Sequence, residues 1–477
     1  MNSISILNKY FGYSSFKGVQ KEVIERLVEQ KKHCFVIMPT GGGKSICYQV
    51  PALLFDGKTI VISPLIALMQ DQVDSLKKRG ISAEYINSTV SAEKKQERLK
   101  MFLEGKINLL YVTPERFRKP EFINALQGIK IDLLAVDEAH CISEWGHDFR
   151  PDYSRIAEFR ALLNNPLTVA LTATATQPVQ KDIIEKLGLN KSEIEIFHTG
   201  INRPNLRLEA TDVYDDKQTL NEIIKVIDNF KGSGIIYFSL IKKLEHFSEL
   251  LRAKGYKHKI YHGKLNAAER KKTQRNFIEG DSQLILATNA FGMGIDKENI
   301  RYVIHAEIPS SVESYYQEIG RAGRDGEPSL CKLLYNQQDL YTQMEFIKWA
   351  NPSADFYSRL YDLLITDLEA INNMGIDYLR EQLSFKDKYD FRLETALAML
   401  DRYGVTEGEL ELKNLTLLTE LPEKLHNDNY IKNKLLEDNK KLLAMLQYYQ
   451  TKNCRRIYIN EYFGFFDEPI CKNCDND

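Results

Sequence analysis

The sequence predicts a protein of the α/β class. We expect two tandem units with parallel β-sheets, then a helical or winged-helix-like insert and a small helical module with a cysteine cluster. Three observations predict this organisation: short apolar runs alternate with helix-like stretches, the alternation restarts after a polar stretch near 202–216, and the pattern changes from about Asn351. At 477 residues the chain is also too long for one ordinary domain.

The two sheets are predicted from apolar runs separated by stretches of helical spacing such as 20–30. Buried parallel strands alternating with helices produce this pattern. The first sheet is expected from strands 34–38, 59–63, 107–112, 131–136 and 167–173. The second is expected from strands 234–239, 259–263, 283–288, 301–305 and 330–335. We place the two domains at 1–206 and 207–350.

The insert is expected over 351–430 and the final module over 431–477. Residues 354–372, 376–383 and 391–403 have helical patterns, and the last of these places Leu393, Ala396, Leu397 and Leu400 on one face. Residues 405–421 then alternate as a hairpin does. Three helices followed by a hairpin predict a winged-helix-like unit.

Composition and charge exclude some classes of protein. Hydrophobic residues make up 43% and charged residues 27% of the chain, the balance of a folded soluble protein. No apolar run approaches the roughly 18–20 residues of a membrane span, and the N-terminus lacks a signal pattern. The 64 basic and 66 acidic residues give a net charge of −2, so nucleic-acid binding must rest on local sites. We expect a cytoplasmic protein.

The stretch MPTGGGKS (38–45) lies between a predicted strand and a predicted helix. Its glycines would let backbone N–H groups and the helix N-terminus face phosphate oxygens. Lys44 would reach the outer phosphates of ATP, and the Ser45 hydroxyl would hold Mg²⁺. Met38 stands where the consensus has glycine, and a glycine-rich turn is the alternative. The expected ATP contacts here are Thr40, Gly41, Gly42, Gly43, Lys44 and Ser45.

Two acids and two arginines would complete a hydrolytic site. IDLLAVDEAH (131–140) is an apolar strand ending in Asp137, which would bind Mg²⁺ through water, and Glu138, which would polarise the attacking water. A helix start is the alternative for such an acid pair. GRAGRDG (320–326) supplies Arg321 and Arg324, which would stabilise charge on the γ-phosphate unless they are a solvated surface pair.

These residues, in this order, resemble the RecQ family of DNA helicases, within helicase superfamily two. The resemblance covers nearly all of 7–345 and resumes at 454–474, and it implies two RecA-like domains. LNKYFGYSSFKGVQ (7–20) resembles the family's adenine-reading element. By this match, Gln20 would bond the base edge and Tyr13 would pack near it, while Lys17 stands where arginine is usual.

The resemblance also implies a surface for DNA. VISPLIALMQDQV (61–73) and VTPERF (112–117) resemble DNA-backbone motifs, and LTATAT (171–176) resembles a coupling motif. DEAHCISEWGHDFRPDY (137–153) resembles the family's aromatic-rich loop, which couples DNA binding to hydrolysis; Glu144 replaces the usual glutamine. Aromatic faces can stack bases, although Trp145 and Phe149 could instead belong to the core. The implied DNA contacts are Pro64, Thr113, Trp145, His147, Phe149, Arg150, Thr288 and Asn289.

The second unit matches the later helicase motifs of the family. IIYFS (235–239), YHGKL (261–265), LATNAFGMGID (286–296) and YYQEIGRAGRDG (315–326) resemble them in order. The match implies that Gly294 and Asp296 approach the nucleotide. It also implies that Gln317, Arg321 and Arg324 line the interface between the domains.

The C-terminal cysteines have a zinc spacing. Cys454 is followed at a distance by Cys471 and, after two residues, by Cys474. CRRIYINEYFG (454–464) resembles the family's zinc-binding module, which uses four cysteines, and the fourth position falls on Asp477. We expect Zn²⁺ here; buried thiols without a metal are the alternative. The other cysteines, in apolar or motif contexts, are expected to be reduced and buried: Cys34, Cys47, Cys141 and Cys331.

The stretch from about 353 to 430 departs from the family, which usually runs straight from the motor into the zinc module. Its candidate hairpin carries Glu407, Glu409 and Glu411 against Lys413, and this acidity disfavours close contact with duplex. We weigh a protein-docking or spacer module against a DNA separator. We expect no winged helix after Asp477, although the resemblance implies one there in relatives of the family.

The sequence thus favours a monomeric ATP- and Mg²⁺-dependent DNA helicase, with 3′–5′ movement implied by the resemblance. Tailed or forked duplex and single-stranded DNA would be its substrates, with repair or recombination proteins as partners, in the bacterial cytoplasm or nucleoid and without membrane contact. The alternatives are an RNA helicase, a DNA-stimulated ATPase that clamps strands without unwinding, and a nucleotide kinase. The kinase leaves the second unit and its arginines unexplained.

Overall fold

The first domain contains a seven-stranded parallel sheet in the order β3-β4-β2-β5-β6-β1-β7. The computed structural model of the chain describes residues 2–55, 57–146, 150–292, 295, 297–383, 390–466 and 469–476. The strands are β1 (His33–Ile37), β2 (Lys58–Ile62), β3 (Ala83–Ile86), β4 (Leu109–Val112), β5 (Ile131–Val136), β6 (Leu167–Thr172) and β7 (Ile194–His198). Parallel strands need crossover connections, and the helices supply them.

The helices of this domain cover both faces of the sheet, and each face has its own apolar core. They are α1 (Ser3–Ile6), α2 (Gln20–Val28), α3 (Ile46–Leu54), α4 (Ile66–Lys78), α5 (Ala92–Leu103), α6 (Pro120–Leu126), α7 (Ile156–Leu162) and α8 (Gln177–Lys186). A π-helical turn spans Leu7–Phe11, and 3₁₀ turns span Pro114–Arg118, Ala139–Ile142 and Pro151–Arg155.

The second domain repeats this design with six parallel strands in the order β10-β11-β9-β12-β13-β8. The strands are β8 (Leu206–Asp212), β9 (Ser233–Tyr237), β10 (Lys259–Tyr261), β11 (Leu284–Ala287), β12 (Ile300–His305) and β13 (Ser329–Tyr335). Its helices are α9 (Asp216–Asn229), α10 (Ile241–Ala253), α11 (Ala267–Glu279), α12 (Val312–Ile319) and α13 (Gln337–Ala350).

The insert has a core of its own, built mostly from leucines of its helices. Its helices are α14 (Ala354–Thr366), α15 (Leu368–Met374), α16 (Ile376–Gln382), α17 (Arg392–Arg402) and α18 (Glu423–His426). On α17, Leu393, Ala396 and Leu400 are buried, as their spacing predicts. The hairpin is shorter than the alternation predicts: only β14 (Thr406–Glu407) and β15 (Thr416–Leu417) pair, because a turn with Gly408 and Lys413 at positive φ separates them.

The C-terminal helices pack on the second domain. They are α19 (Asp428–Gln450) and α20 (Arg455–Tyr462). Met445, Tyr448 and Ile459 belong to the same core as strands of the second sheet, and the hydroxyl of Tyr448 donates to that of Tyr315 at 3.1 Å. The chain beyond α20 extends the sheet: the N–H of Leu208 in β8 donates to Asn473 O, and the N–H of Asp475 donates to Leu208 O.

The predicted α/β class with two parallel-sheet domains is confirmed, but three strands were missed. These are β3, β7 and β8, which all lie at sheet edges. The polar stretch near 202–216, after which the alternation was predicted to restart, contains β8. All seven cysteines are among the described residues, and none forms a disulfide. Within the described part of the chain, no helix combines the length and apolarity that crossing a membrane requires.

Candidate ATP, DNA and zinc sites

The glycine-rich loop joins β1 to α3 at the carboxyl edge of the first sheet. Gly41 and Gly43 have φ of 82° and 76°, the left-handed region that favours glycine. The Lys44 ammonium donates to Met38 O at 3.3 Å, so the side chain folds back over its own loop. With α3 beginning directly after Ser45, the loop presents N–H groups and a helix N-terminus toward the cleft.

The two acids follow β5 and face this loop. Asp137 is 8% exposed, and its N–H donates to Ile62 O at 2.9 Å. Burial and the neighbouring Glu138 raise the pKa of Asp137 to about 7, while Lys44 acts in the opposite direction. A buried carboxylate beside a second carboxylate favours a nearby cation, and Mg²⁺, which takes oxygen ligands, would suit this donor set.

The element before the loop supplies the wall expected for adenine. Tyr13 is 48% exposed, and the Lys17 ammonium lies 5.8 Å from the centroid of its ring. Gln20 is buried, and its amide donates to Gly42 O at 3.2 Å and Gly43 O at 3.0 Å. In this structure, therefore, Gln20 fixes the glycine-rich loop, and an adenine would have to compete for the same amide.

The second domain faces the same cleft with the turn that follows α12. Arg324 lies directly over the loop: a Cβ on Gly41 would be 3.1 Å from its Cγ. Arg321 is buried and donates to Gly292 O, and Gln317 reaches Thr174 of the first domain at 3.4 Å. The cleft has a volume of about 540 Å³ and is lined by Lys44, Ser45, Asp137, Glu138, Gln317, Arg321 and Arg324 together with Tyr13, Lys17 and Gln20. The expected residues Gly294 and Asp296 lie outside the described residues.

Arg203 is a residue at this cleft that the sequence analysis missed. It lies in the connection between the sheets, where its guanidinium donates to Thr40 O of the glycine-rich loop at 3.1 Å. The same group donates to Ala322 O and Gly323 O, both at 2.8 Å, which lie between Arg321 and Arg324 in the turn. One side chain thus links the phosphate loop to the arginine turn.

The residues expected to contact DNA lie near the same edge of the two sheets, but with different exposures. Pro64, Thr113 and Thr288 are buried, whereas Asn289 is exposed. Arg150 donates to Pro64 O at 2.8 Å. Trp145 is half-buried and packs against the core of the first domain, which was the alternative for this side chain. His147 and Phe149 lie outside the described residues.

Three cysteines meet at the C-terminal module. The Sγ atoms of Cys454, Cys471 and Cys474 lie within 4.8 Å of one another. Backbone N–H groups donate to these sulfurs, from Arg455 to Cys474 at 3.5 Å and from Cys471 to Cys454 at 3.4 Å. Three sulfurs at this separation, with N–H groups aimed at them, fit Zn²⁺ coordination. Asp477, the expected fourth ligand, lies outside the described residues.

Three families match the chain. The DEAD/DEAH box helicase family matches residues 17–183, the helicase conserved C-terminal domain matches residues 217–326, and the RecQ zinc-binding family matches residues 423–477. Among solved structures, Dbp5 of S. cerevisiae bound to RNA and ADP BeF3 has a TM-score of 0.58 at 18% identity, covering 72% of this chain and 91% of that one. At this identity the likeness concerns the fold alone.

Curated relatives are closer in sequence. "ATP-dependent DNA helicase RecQ" of Bacillus subtilis (strain 168) is 48% identical over 345 residues, which are 72% of this chain and 58% of that protein. The chain also spans only 52% and 54% of the RecQ proteins of Pasteurella multocida and Haemophilus influenzae. "Probable ATP-dependent DNA helicase RecS" of B. subtilis is 36% identical over 448 residues, covering 93% of this chain and 87% of that protein. The chain therefore belongs to the RecQ family of helicases.

Proposed function

We propose that the protein is an ATP-dependent DNA helicase that moves 3′–5′ on single-stranded DNA and unwinds duplex DNA. The observation that carries this proposal is the cleft in which Lys44 and the acid pair of one domain face Arg321 and Arg324 of the other. The names of the curated relatives support DNA rather than RNA as the substrate.

Each group of residues in the cleft has its own role in the hydrolysis of ATP. Lys44 and the N–H groups of the glycine-rich loop hold the outer phosphates, and Ser45 and Asp137 would hold Mg²⁺, which neutralises phosphate charge when bound. Glu138 positions and polarises the attacking water. Arg321 and Arg324 stabilise the charge that develops on the γ-phosphoryl group, a contribution of about 10³–10⁵ in rate for such arginines.

Since catalytic groups come from two domains, hydrolysis depends on how the domains meet. ATP draws the arginine turn toward the glycine-rich loop, and loss of the γ-phosphate removes that attraction. Repeated closing and opening would move single-stranded DNA across both domains along the edge that carries Thr113, Arg150 and Asn289. Single-stranded and tailed or forked duplex DNA are the proposed substrates, for repair or recombination, with the protein acting as a monomer in the bacterial cytoplasm or nucleoid.

The test is strand displacement on 3′-tailed and 5′-tailed duplexes with ATP and Mg²⁺, with ATP hydrolysis measured in the same samples. We expect displacement from the 3′ tail only and ATP hydrolysis stimulated by poly(dT). Lys44→Ala should lose both activities, because the phosphates lose their cation. Lys271→Ala, at an exposed position that does not line the cleft, should keep them.

Other outcomes point to the other functions. Hydrolysis stimulated by DNA without displacement would favour an ATPase that clamps or remodels strands. Stronger stimulation by poly(U) than by poly(dT) would favour an RNA helicase. Displacement from the 5′ tail alone would reject the proposed 3′–5′ polarity but would still support helicase activity.

A further inference from the structure

The insert lies against the segment that follows the catalytic acids, called here the post-acid segment, whose described residues are 139–146 and 150–153. Glu144 of this segment forms an ion pair with Lys424 of the insert and accepts a hydrogen bond from the Tyr430 hydroxyl. The Lys441 ammonium on α19 donates to Gly146 O at 3.2 Å. The Glu144 side chain is 10% exposed and that of Lys424 is 45% exposed, so this contact is partly shielded from water.

A second contact holds the other end of the same segment. Asp152 is buried and paired with Arg118, which sits on the 3₁₀ turn Pro114–Arg118. The Arg118 guanidinium also donates to Asp401 O at 3.2 Å and to Arg402 O. These carbonyls end α17, where helical carbonyls lack partners within the helix and the helix dipole favours a cation. One arginine thus ties Asp152 to the C-terminus of an insert helix.

The post-acid segment is also tied to the catalytic strand. The Tyr153 hydroxyl donates to Asp137 O at 3.4 Å, and the N–H of Arg150 donates to Cys141 O at 3.0 Å. Any displacement of this segment is therefore transmitted to the backbone that carries the acid pair. The insert thus contacts the segment directly at Glu144 near one end, where Lys441 of α19 adds a contact to Gly146. Near the other end, Arg118 links the insert to Asp152.

We propose that the insert, through Lys424, Tyr430 and the end of α17, positions the post-acid segment in its DNA-free arrangement, so that DNA stimulates hydrolysis only by displacing these contacts. This inference rests on the proposed function, because it concerns how DNA controls the ATPase. A contact present in one state and lost in the other biases the equilibrium by its own free energy. Weakening the contact should therefore lower the concentration of DNA that is needed to stimulate ATP hydrolysis.

The experiment is a double-mutant cycle in the full chain with Lys424→Gln, Glu144→Gln and the double variant. Lys440→Gln is the matched control, because it removes the same charge from an exposed pair, 2.7 Å from Glu437 on the same helix α19. For each variant, DNA-independent ATP hydrolysis and the half-saturating concentration of poly(dT) are measured. Hydrogen exchange of the amides of 141–153 is followed without DNA and nucleotide.

We expect each single variant to raise DNA-independent hydrolysis and lower the half-saturating poly(dT) concentration by roughly two- to tenfold, with faster amide exchange in the segment. The double variant should match Glu144→Gln, because that variant already removes the pair with Lys424 together with the charge that faces Tyr430 and Lys186. Tyr430→Phe removes only a hydroxyl. It should change DNA-independent hydrolysis, the half-saturating poly(dT) concentration and amide exchange in the same directions, but by smaller amounts. Lys440→Gln should behave as the unmodified chain.

Three results would overturn the inference: unchanged amide exchange, strictly additive effects in the cycle, or a higher half-saturating DNA concentration in the single variants. Failure of the proposed function looks different. In that case poly(dT) does not stimulate the unmodified chain at all, while amide exchange still decides whether the insert positions the segment.

Discussion

Arg203 shows how much a single side chain can determine at the interface of two domains. Its hydrogen bonds go to backbone carbonyls of the glycine-rich loop and of the arginine turn, namely Thr40, Ala322 and Gly323. The planar guanidinium can serve several acceptors at once, which a lysine ammonium cannot do in the same geometry. Arg203 therefore links the turn that carries Arg321 and Arg324 to the glycine-rich loop.

Replacing Arg203 should slow hydrolysis more than it weakens ATP binding. Arg203→Ala leaves Lys44 and the glycine turn in place but frees the arginine turn, and misplaced catalytic groups typically cost on the order of 10²-fold in rate. We expect kcat to fall by about 10- to 100-fold, with KM for ATP changed by much less, in steady-state assays with saturating poly(dT). The matched control is Arg207→Ala, whose side chain is 57% exposed and pairs with Glu209. A raised KM with kcat retained would contradict a positioning role.

At the same scale, whether a site residue could be predicted from the sequence depended on the groups that its side chain contacts. Lys44, Ser45, Asp137 and Glu138 belong to short motifs with a chemical reason for each residue, and the cleft brings them together. Arg203 has no such signal, because its partners are carbonyl groups that every residue possesses. The sequence could not indicate either that Gln20 is bonded to the glycine-rich loop, since this depends on the loop's backbone conformation.

Among the elements, every central strand was predicted, whereas three of the four edge strands were missed and only the edge strand β10 was predicted. Central strands such as β5 and β12 are buried at all but one position and contain apolar runs, LLAV and YVI. The missed strands β3, β7 and β8 are edge strands, where exposed positions carry charge, as in AEYI (83–86) and LRLEATD (206–212). Charged residues protect sheet edges and at the same time remove the apolar signal of a strand.

Strand β9 allows a stability test of this packing. The register places Gly234 opposite Tyr302 of β12, and a Cβ on Gly234 would lie 1.9 Å from the Tyr302 ring. Gly234→Ala should therefore overpack the core and lower the free energy of unfolding by about 1–3 kcal/mol, measured by urea denaturation followed by circular dichroism. Gly263→Ala is the control: a Cβ there has nothing within 4 Å, and the change should stay within about 0.5 kcal/mol. Equal unfolding midpoints for the two variants would contradict this account.

For the whole molecule, the cysteine cluster joins the end of the chain to the two domains. Arg456, two positions after Cys454, donates to Leu206 O at 2.7 Å. Asn473, which lies between Cys471 and Cys474, donates to Pro204 O at 3.0 Å. Pro204 lies in the connection that carries Arg203, and Leu206 is the first residue of β8. A metal at the cluster would therefore stabilise more than its own module.

Removal of zinc should accordingly lower the stability of the whole protein. We expect one zinc per chain by mass spectrometry under native conditions, and a lower unfolding midpoint after treatment with a chelator, because structural Zn²⁺ contributes on the order of 10 kcal/mol at neutral pH. Cys454→Ala should lose the metal, whereas Cys331→Ala, a buried cysteine on β13, should retain it. Full zinc occupancy in Cys454→Ala would remove the cluster from consideration as the site.

The pairing of Leu208 with residues 473–475 has a consequence for how the protein is made. During synthesis, β8 and its sheet partner β13 both leave the ribosome before residues 473–475 do. Until residues 473–475 leave the ribosome, the N–H and C=O groups of Leu208 on the outer edge of β8 lack these partners and can pair with another chain. A chain whose synthesis stops before these residues would therefore expose this part of the sheet edge and be prone to aggregate.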